Sequence, residues 1–171
     1  MSSEPADKTR VLIRWMVRRD MPEVAAIEHS SFEFPWKEED FFQCSQRRNC
    51  IGMVAEHGNR VAGYMVYEIT KSRFHLLNIA VSPELRRHGI ARQMVQKLIS
   101  KLANQRRHKI VLEVRETNLP ALIFLRSLGF RAVSVIKSFY EQTDDDAYLM
   151  QYRLPSEKTT VSKPLKVQYA G

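Results

Sequence analysis

Long apolar runs are missing from this sequence of 171 residues. No stretch approaches the roughly 18 consecutive apolar residues that a transmembrane helix needs, so we exclude a protein of that class. The opening residues, MSSEPADKTR, contain no apolar segment of the kind found in secretory signals. We therefore expect a cytoplasmic protein with no membrane partner.

Cysteine is nearly absent too, with only Cys44 and Cys50 in the chain. Two cysteines cannot make a disulfide framework, and neither stands at zinc-like spacing from any of the five histidines. We expect no metal site. Because neither cysteine lies in the basic segment described below, both are expected to be buried thiols rather than catalytic ones.

Positive charge, by contrast, is plentiful and concentrated in one segment. The remaining composition is ordinary for one globular domain, with 44% hydrophobic and 27% charged residues, but the formal net charge is +8. Between Ser82 and Lys109 eight basic residues stand against a single acid, Glu84. A local field of this kind favours an anionic ligand or partner.

Hydrophobic periodicity predicts the element order β α α β β β α β α β β. Apolar residues from Ile90 to Leu102 recur on one helical face, whereas Phe74–Val81 and Ile110–Val114 are mostly apolar, as strands covered on both faces would be. We therefore predict an α/β fold with a mixed central sheet and helices on both faces. The domain is expected over 10–154, between a flexible leader (1–9) and a polar basic tail (155–171).

The basic segment opens with the turn Arg86-Arg87-His88-Gly89-Ile90-Ala91, between a buried strand and an amphipathic helix. Glycine lets the backbone approach a ligand closely, and a helix start offers unpaired N–H groups, so the turn is suited to a pyrophosphate. Taken alone, such a pattern more often marks a solvated basic turn.

Further features in chain order resemble the GNAT acetyltransferase superfamily, and within it the bacterial enzymes that acetylate the N-terminal alanine of a ribosomal protein. The resemblance covers about residues 10–154 and implies a parallel strand pair that splays apart around acetyl-CoA. The features are Phe34-Pro35-Trp36, Asn78-Ile79-Ala80-Val81, Arg86 to Ala91, Glu113-Val114-Arg115 followed by Asn118, Ser127-Leu128-Gly129-Phe130, and, more weakly, Phe139-Tyr140 with Asp146-Ala147.

The resemblance also implies a site for acetyl-CoA. The backbone of the first splayed strand would pair with the pantetheine arm, the basic loop would hold the pyrophosphate, and an asparagine after the next strand would reach the cofactor. The residues at these positions are Ile79, Ala80, Val81, Arg86, Arg87, His88, Gly89, Ile90, Ala91, Arg92 and Asn118.

Glu113 occupies the position of the family's general base. It interrupts an apolar strand, where a carboxylate is costly unless it is paired or faces a cleft, and burial is expected to raise its pKa. The alternative is that Glu113 pairs with Arg115 or points off the sheet edge.

Leu125 departs from the subfamily pattern, which has a tyrosine there to protonate the leaving thiolate. Tyr140 is the candidate substitute, as a catalytic residue or as a substrate contact, and the alternative is a rim aromatic. Phe34, Pro35 and Trp36 match the family's substrate-side loop, where a fixed backbone and rigid aromatics suit a peptide end. The alternative is that both aromatics fill the core beside the second helix.

We therefore predict direct acetyl transfer from acetyl-CoA to an amine, most simply the N-terminal α-amino group of a protein such as a ribosomal protein. Deprotonating an α-amino group near neutral pH costs roughly 3 kcal/mol less than deprotonating a lysine. The alternatives are acetylation of lysine or of a small amine, and a catalytically weak, CoA-binding or ribosome-associated module. Direct nucleic-acid binding is not favoured, because the basic segment lacks interleaved aromatics.

Overall fold

The computed structural model describes residues 8–155 and confirms the predicted order of helices and strands. The strands are β1 (Leu12–Trp15), β2 (Cys50–His57), β3 (Arg60–Ile69), β4 (Arg73–Val81), β5 (Lys109–Arg115), β6 (Arg131–Tyr140) and β7 (Asp145–Arg153). The helices are α1 (Met21–Ser31), α2 (Glu38–Ser45), α3 (Ile90–Asn104) and α4 (Leu119–Ser127), and two 3-10 turns cover Arg18–Asp20 and Pro83–Leu85.

The seven strands form one mixed sheet in the order β1-β2-β3-β4-β5-β7-β6. β4 and β5 run parallel, and the other neighbours within residues 8–155 are antiparallel. The parallel pairing covers only three residue pairs, from Arg73–Lys109 to His75–Val111. Beyond His75 the two strands are no longer paired, which confirms the predicted splayed pair.

Helices cover both faces of the sheet, because alternate residues of each strand point to opposite faces. On one face, α3 and α4 pack Met94, Leu98 and Leu125 into a core with strand residues such as Leu112. On the other face, α1 and α2 pack residues such as Val24 into a second core. The predicted α/β class with helices on both faces is confirmed.

A partly buried ion pair lies at the start of α1. Asp20 stands at the N-cap, but its carboxylate does not cap the helix. Both oxygens accept bonds of 2.8 Å from the Arg14 guanidinium, and one also accepts the Val17 N–H. Arg14 thereby lowers the pKa of Asp20 and ties β1 to the beginning of α1.

The two cysteines differ from expectation. Both are buried, but they are joined by a disulfide, so the expectation of free thiols is wrong. The turn after α2 brings their Cα atoms within 5.7 Å across six positions of sequence, which is a favourable separation for the bond. The disulfide links the end of α2 to the start of β2.

The predicted leader and tail fall mostly outside the described residues, which leave out 1–7 and 156–171. The N–H of Thr9 donates to the carbonyl of His88 at 3.2 Å, beside the basic turn. Among the helices of residues 8–155, none is both long and apolar enough to cross a membrane.

Candidate active site

The splay of β4 and β5 leaves one edge of β4 open inside the sheet. Ile79, Ala80 and Val81 pair with β3 on one side. Within residues 8–155, β5 pairs with β4 only as far as His75, so the other side of this segment has no strand neighbour. An extended ligand can therefore hydrogen-bond to this edge as an added strand would.

The turn that follows β4 presents a helix N-terminus. Gly89 is the N-cap of α3 and has a φ of +77°, in the left-handed region that favours glycine. No side chain caps this helix end, and the neighbouring Arg87 is exposed. Uncapped N–H groups beside exposed cations suit an anion such as a pyrophosphate.

Three of the residues predicted to contact the cofactor form hydrogen bonds to other groups of the protein. Arg86 donates to the carbonyl of Val81 at 3.1 Å and to the Ser31 hydroxyl at 2.9 Å, which braces β4 against α1. Arg92 donates to the Ser127 hydroxyl at 3.0 Å, at the end of α4. Asn118 caps α4, because its Oδ1 accepts the Ala121 N–H at 3.3 Å.

Glu113 lies on the face of the sheet that α1 and α2 cover. Its neighbours Leu112 and Val114 belong to the opposite core, and strand alternation turns Glu113 the other way. Its Oε2 lies 2.7 Å from Nε2 of His75, and the two side chains are only 20% and 23% exposed. The partner is thus His75, whereas the alternative considered from the sequence was Arg115.

The pKa of Glu113 is lower than its ordinary value. Burial raises the pKa, but the hydrogen bond and charge of His75, with a smaller effect from Arg73, lower it by more. The expectation of a raised pKa is therefore wrong, because the sequence did not reveal the histidine partner. The carboxylate is ionised at neutral pH.

Tyr140 lies against a cation on the same face. The Arg115 guanidinium carbon is 3.8 Å from the centre of the Tyr140 ring, and Arg115 also donates to Asp145 at 2.7 Å. Burial raises the pKa of the Tyr140 phenol, Arg115 opposes this, and the charge of Glu113 adds to it. The phenol therefore stays protonated and is able to donate a hydrogen bond.

The two aromatic residues of the Phe34-Pro35-Trp36 loop lie in different environments. Phe34 is 44% exposed, whereas Trp36 is half-buried and packs edge-on against Phe41, with 5.1 Å between ring centres. Trp36 thus fills the core, and Phe34 is left at the surface.

A buried carboxylate that sequence reasoning left without a role holds this loop to the sheet. Glu28 of α1 is 1% exposed, and it accepts the Trp36 N–H at 2.7 Å and the Asn78 amide at 3.0 Å. The Tyr64 hydroxyl also donates to it. Burial raises the pKa of Glu28, and its two N–H donors oppose this. Its place in the sequence could have indicated burial, because Glu28 lies on the same helix face as the apolar residues Val24 and Ile27.

The position where the subfamily has tyrosine contributes no polar group. Leu125 is 3% exposed and belongs to the core under α3 and α4. Among residues 8–155 no three His, Cys, Asp or Glu side chains are grouped so that they could hold a metal ion.

A separate apolar groove of about 820 Å³ lies between α2 and the ends of β1 and β2. Trp15, Phe41 and Phe42 line it. None of the residues predicted to act on acetyl-CoA or the acceptor contributes to its lining, so the groove is distinct from the gap between β4 and β5.

The sequence matches the family model described as "Acetyltransferase (GNAT) family" over residues 21–130. It is 30% identical over 133 residues to the [ribosomal protein bS18]-alanine N-acetyltransferase of Salmonella typhimurium, which covers 77% of this chain and 89% of the relative.

Two solved structures have a similar fold. The ribosomal-protein-S18-alanine N-acetyltransferase from Escherichia coli superposes with a TM-score of 0.79 at 24% identity, covering 90% of this chain and all of that one. Arabidopsis thaliana NAA60 in complex with acetyl-CoA superposes with a TM-score of 0.75 at 17% identity, covering 85% of this chain and all of that one.

Proposed function

This chain belongs to the GNAT acetyltransferase family and is an N-acetyltransferase, and from that premise we propose that it acetylates the N-terminal α-amino group of a protein. The acceptor we propose is an N-terminal alanine, as in a ribosomal protein. The observation that carries the proposal is the half-buried carboxylate of Glu113, which contacts His75 at the point where β4 and β5 separate.

Acetyl-CoA, the acetyl donor of this family, supplies the activated acetyl group. The structure fits its binding, because the open backbone edge of Ile79–Val81 leads directly into the uncapped N-terminus of α3. We assign the pantetheine contacts to that edge and the phosphate contacts to the turn around Gly89. We call these two segments the cofactor side.

The acceptor side consists of Glu28, His75, Glu113, Arg115 and Tyr140, on the face covered by α1 and α2. Glu113 is ionised at neutral pH and is the proposed general base, which takes a proton from the acceptor ammonium directly or through a water. Backbone N–H groups near Ile79–Val81 would stabilise negative charge that develops on the acetyl oxygen. Tyr140 is the proposed donor of a hydrogen bond to the acceptor or to the departing sulfur.

The acceptor class follows from the base and from the relatives. A carboxylate with a lowered pKa is a weak base, which suits an α-amino group near pKa 7.7–8.0 better than a lysine near 10.4. The Salmonella relative is named as an enzyme that acts on an alanine of ribosomal protein bS18. Phe34, exposed on a loop that Glu28 fixes, is a suitable contact for the first residues of a peptide.

A thiol-release assay with a peptide panel tests this proposal. The panel contains peptides that differ only in the first residue, a copy with a blocked N-terminus and an internal lysine, and a polyamine. We expect turnover to be fastest with alanine first and to disappear when the N-terminus is blocked. If the blocked lysine peptide or the polyamine turns over as fast as the alanine peptide, the proposed acceptor is wrong. No turnover with any amine would favour a CoA-binding module.

A further inference from the structure

His75 bridges the two splayed strands at the point where they separate. It is the last residue of β4 that pairs with β5, opposite Val111. Its ring nitrogen Nε2 contacts Oε2 of Glu113, two residues further along β5, at 2.7 Å. The contact therefore lies at the closed end of the gap, and β4 and β5 are unpaired beyond it.

We propose that His75 is a positioning residue for Glu113: it holds one carboxylate oxygen and so presents the other to the acceptor amine. This inference rests on the proposed role of Glu113 as general base. Because Glu113 is ionised, Nε2 of His75 acts as the N–H donor and Oε2 as the acceptor. The bond fixes the side-chain torsions of a glutamate that has little other polar support.

The surrounding charges show why the histidine is needed. Arg73 and Lys109 occupy the same sheet face before the contact, Glu68 lies opposite His75 on β3, and Arg115 follows Glu113 on β5. Two of these are already engaged: Glu68 by Arg47 at 2.9 Å, and Arg115 by Asp145 at 2.7 Å. Among the described residues, His75 is thus the side chain that directly hydrogen-bonds to Glu113.

Removing the ring should change how Glu113 ionises. Burial raises the pKa of a carboxylate, and His75 supplies the main effects that oppose it here. In His75→Phe, the pKa of Glu113 should therefore rise, and the base should be lost by protonation at a higher pH. His75→Gln keeps an N–H donor at a similar reach and should restore the orientation.

The first test measures ionisation directly. Carbon-13 NMR of the full chain, with the Glu113 carboxyl resonance assigned by its loss in Glu113→Gln, follows titration of that carboxylate in wild type and in His75→Phe. We expect the midpoint to move to higher pH in His75→Phe. The control is Glu68→Gln, which changes the residue facing His75 on β3 and should leave the midpoint in place. An unchanged midpoint in His75→Phe would overturn the inference.

The second test measures the reaction. At saturating substrates, His75→Phe should lower kcat roughly tenfold near pH 6, where more of the base is protonated, and less than threefold near pH 8. His75→Gln should recover most of the loss, and adding His75→Phe to Glu113→Gln should change kcat little further. If His75→Phe does not fold, His75→Val removes the same donor.

The two proposals fail differently. If Glu113→Gln retains turnover within about threefold, the general-base role is wrong, and the catalytic part of this inference falls with it. If Glu113→Gln is severely impaired but His75→Phe has a wild-type pH profile, Glu113 remains the base and His75 has no positioning role.

Discussion

The two sides of the gap between β4 and β5 are built differently. The cofactor side is contiguous in sequence and presents mainly backbone, from the open edge at Ile79–Val81 to the turn at Gly89. The acceptor side is assembled from side chains on α1, β4, β5 and β6, held by pairs that are 38 and 25 positions apart: His75 with Glu113, and Arg115 with Tyr140. We therefore expect most side-chain substitutions to affect the acceptor side more than the cofactor side, where Gly89 is the exception.

The largest effect should come from the acceptor side. Glu113→Gln keeps the shape of the side chain but removes the base, and we expect kcat to fall by about 10²–10⁴, the range for a general base. Acetyl-CoA affinity, measured by calorimetry, should not change. The matched control is Glu116→Gln, an exposed carboxylate just beyond β5, which should be neutral. A loss under threefold in Glu113→Gln would give that residue a structural role only.

The next effect tests how firmly the acceptor side is held. Glu28→Ala leaves three donors without their acceptor: the buried side chains of Asn78 and Tyr64 and the partly buried N–H of Trp36. We expect the free energy of unfolding to fall by about 3 kcal/mol, since each unsatisfied group costs roughly 1–3 kcal/mol. Denaturant unfolding measures this loss. Glu23→Ala on the same helix removes a largely exposed ion pair with Arg60 and one hydrogen bond from the Val61 N–H, so it should cost only about 1 kcal/mol. Equal losses in the two variants would contradict the buried network.

Glu28 also predicts a dependence of stability on pH. Burial raises its pKa in the folded protein, so folding favours the protonated form. Its contribution to stability is therefore full below the pKa of the unfolded chain and is lost as the pH rises through the folded pKa. Unfolding measured from mildly acidic to neutral pH should show this loss in wild type, and Glu28→Gln should remove it. An identical pH dependence in the two proteins would assign the effect elsewhere.

On the cofactor side a backbone position should be the sensitive one. Gly89→Asp places a negative charge where the phosphates are proposed to bind, and it puts a side chain on a residue whose positive backbone φ disfavours one. Acetyl-CoA affinity should therefore fall at least about tenfold, or 1.4 kcal/mol. Gly58→Asp is the control, because Gly58 also has a positive φ of +55° and open space around it but lies in the β2–β3 hairpin. Unchanged affinity in a folded Gly89→Asp protein would remove the anion site from this turn.

The smallest effect should come from the phenol. Tyr140→Phe keeps the ring on Arg115 and removes only the hydroxyl, and we expect kcat or the acceptor KM to change by less than about tenfold. A CoA thiol resembles a cysteine with a pKa near 8.5, so its thiolate is an adequate leaving group near neutral pH even without a proton donor. Steady-state kinetics with Tyr140→Phe and Leu125→Tyr separate the cases. Wild-type values in Tyr140→Phe would exclude Tyr140 from the reaction, and faster turnover in Leu125→Tyr would show that proton delivery is limiting.

The features that could be predicted from the sequence are the local ones, and the contacts between distant residues could not be predicted. The order of elements and the glycine turn at Gly89 depend on short-range patterns, and periodicity and turn chemistry reveal these. The splayed strands were expected from the family resemblance alone. His75 was not identified, because its partner lies 38 positions away and neither residue forms a local motif with the other. The predicted direction of the Glu113 pKa shift was wrong for the same reason. The Cys44–Cys50 disulfide was not predicted, because it depends on a turn whose geometry the sequence pattern did not reveal.

The short parallel pairing of β4 and β5 ties the stability of this protein to its metabolic surroundings. Three residue pairs join β4 to β5, and the open β4 edge beyond them is where we propose that the cofactor binds. A ligand that binds there recognises the folded chain alone and raises its unfolding free energy by about 2.7 kcal/mol at a hundredfold excess over Kd. The melting temperature should therefore rise with the concentration of free acetyl-CoA, and scarcity of that metabolite should shorten the lifetime of the enzyme as well as slow its turnover.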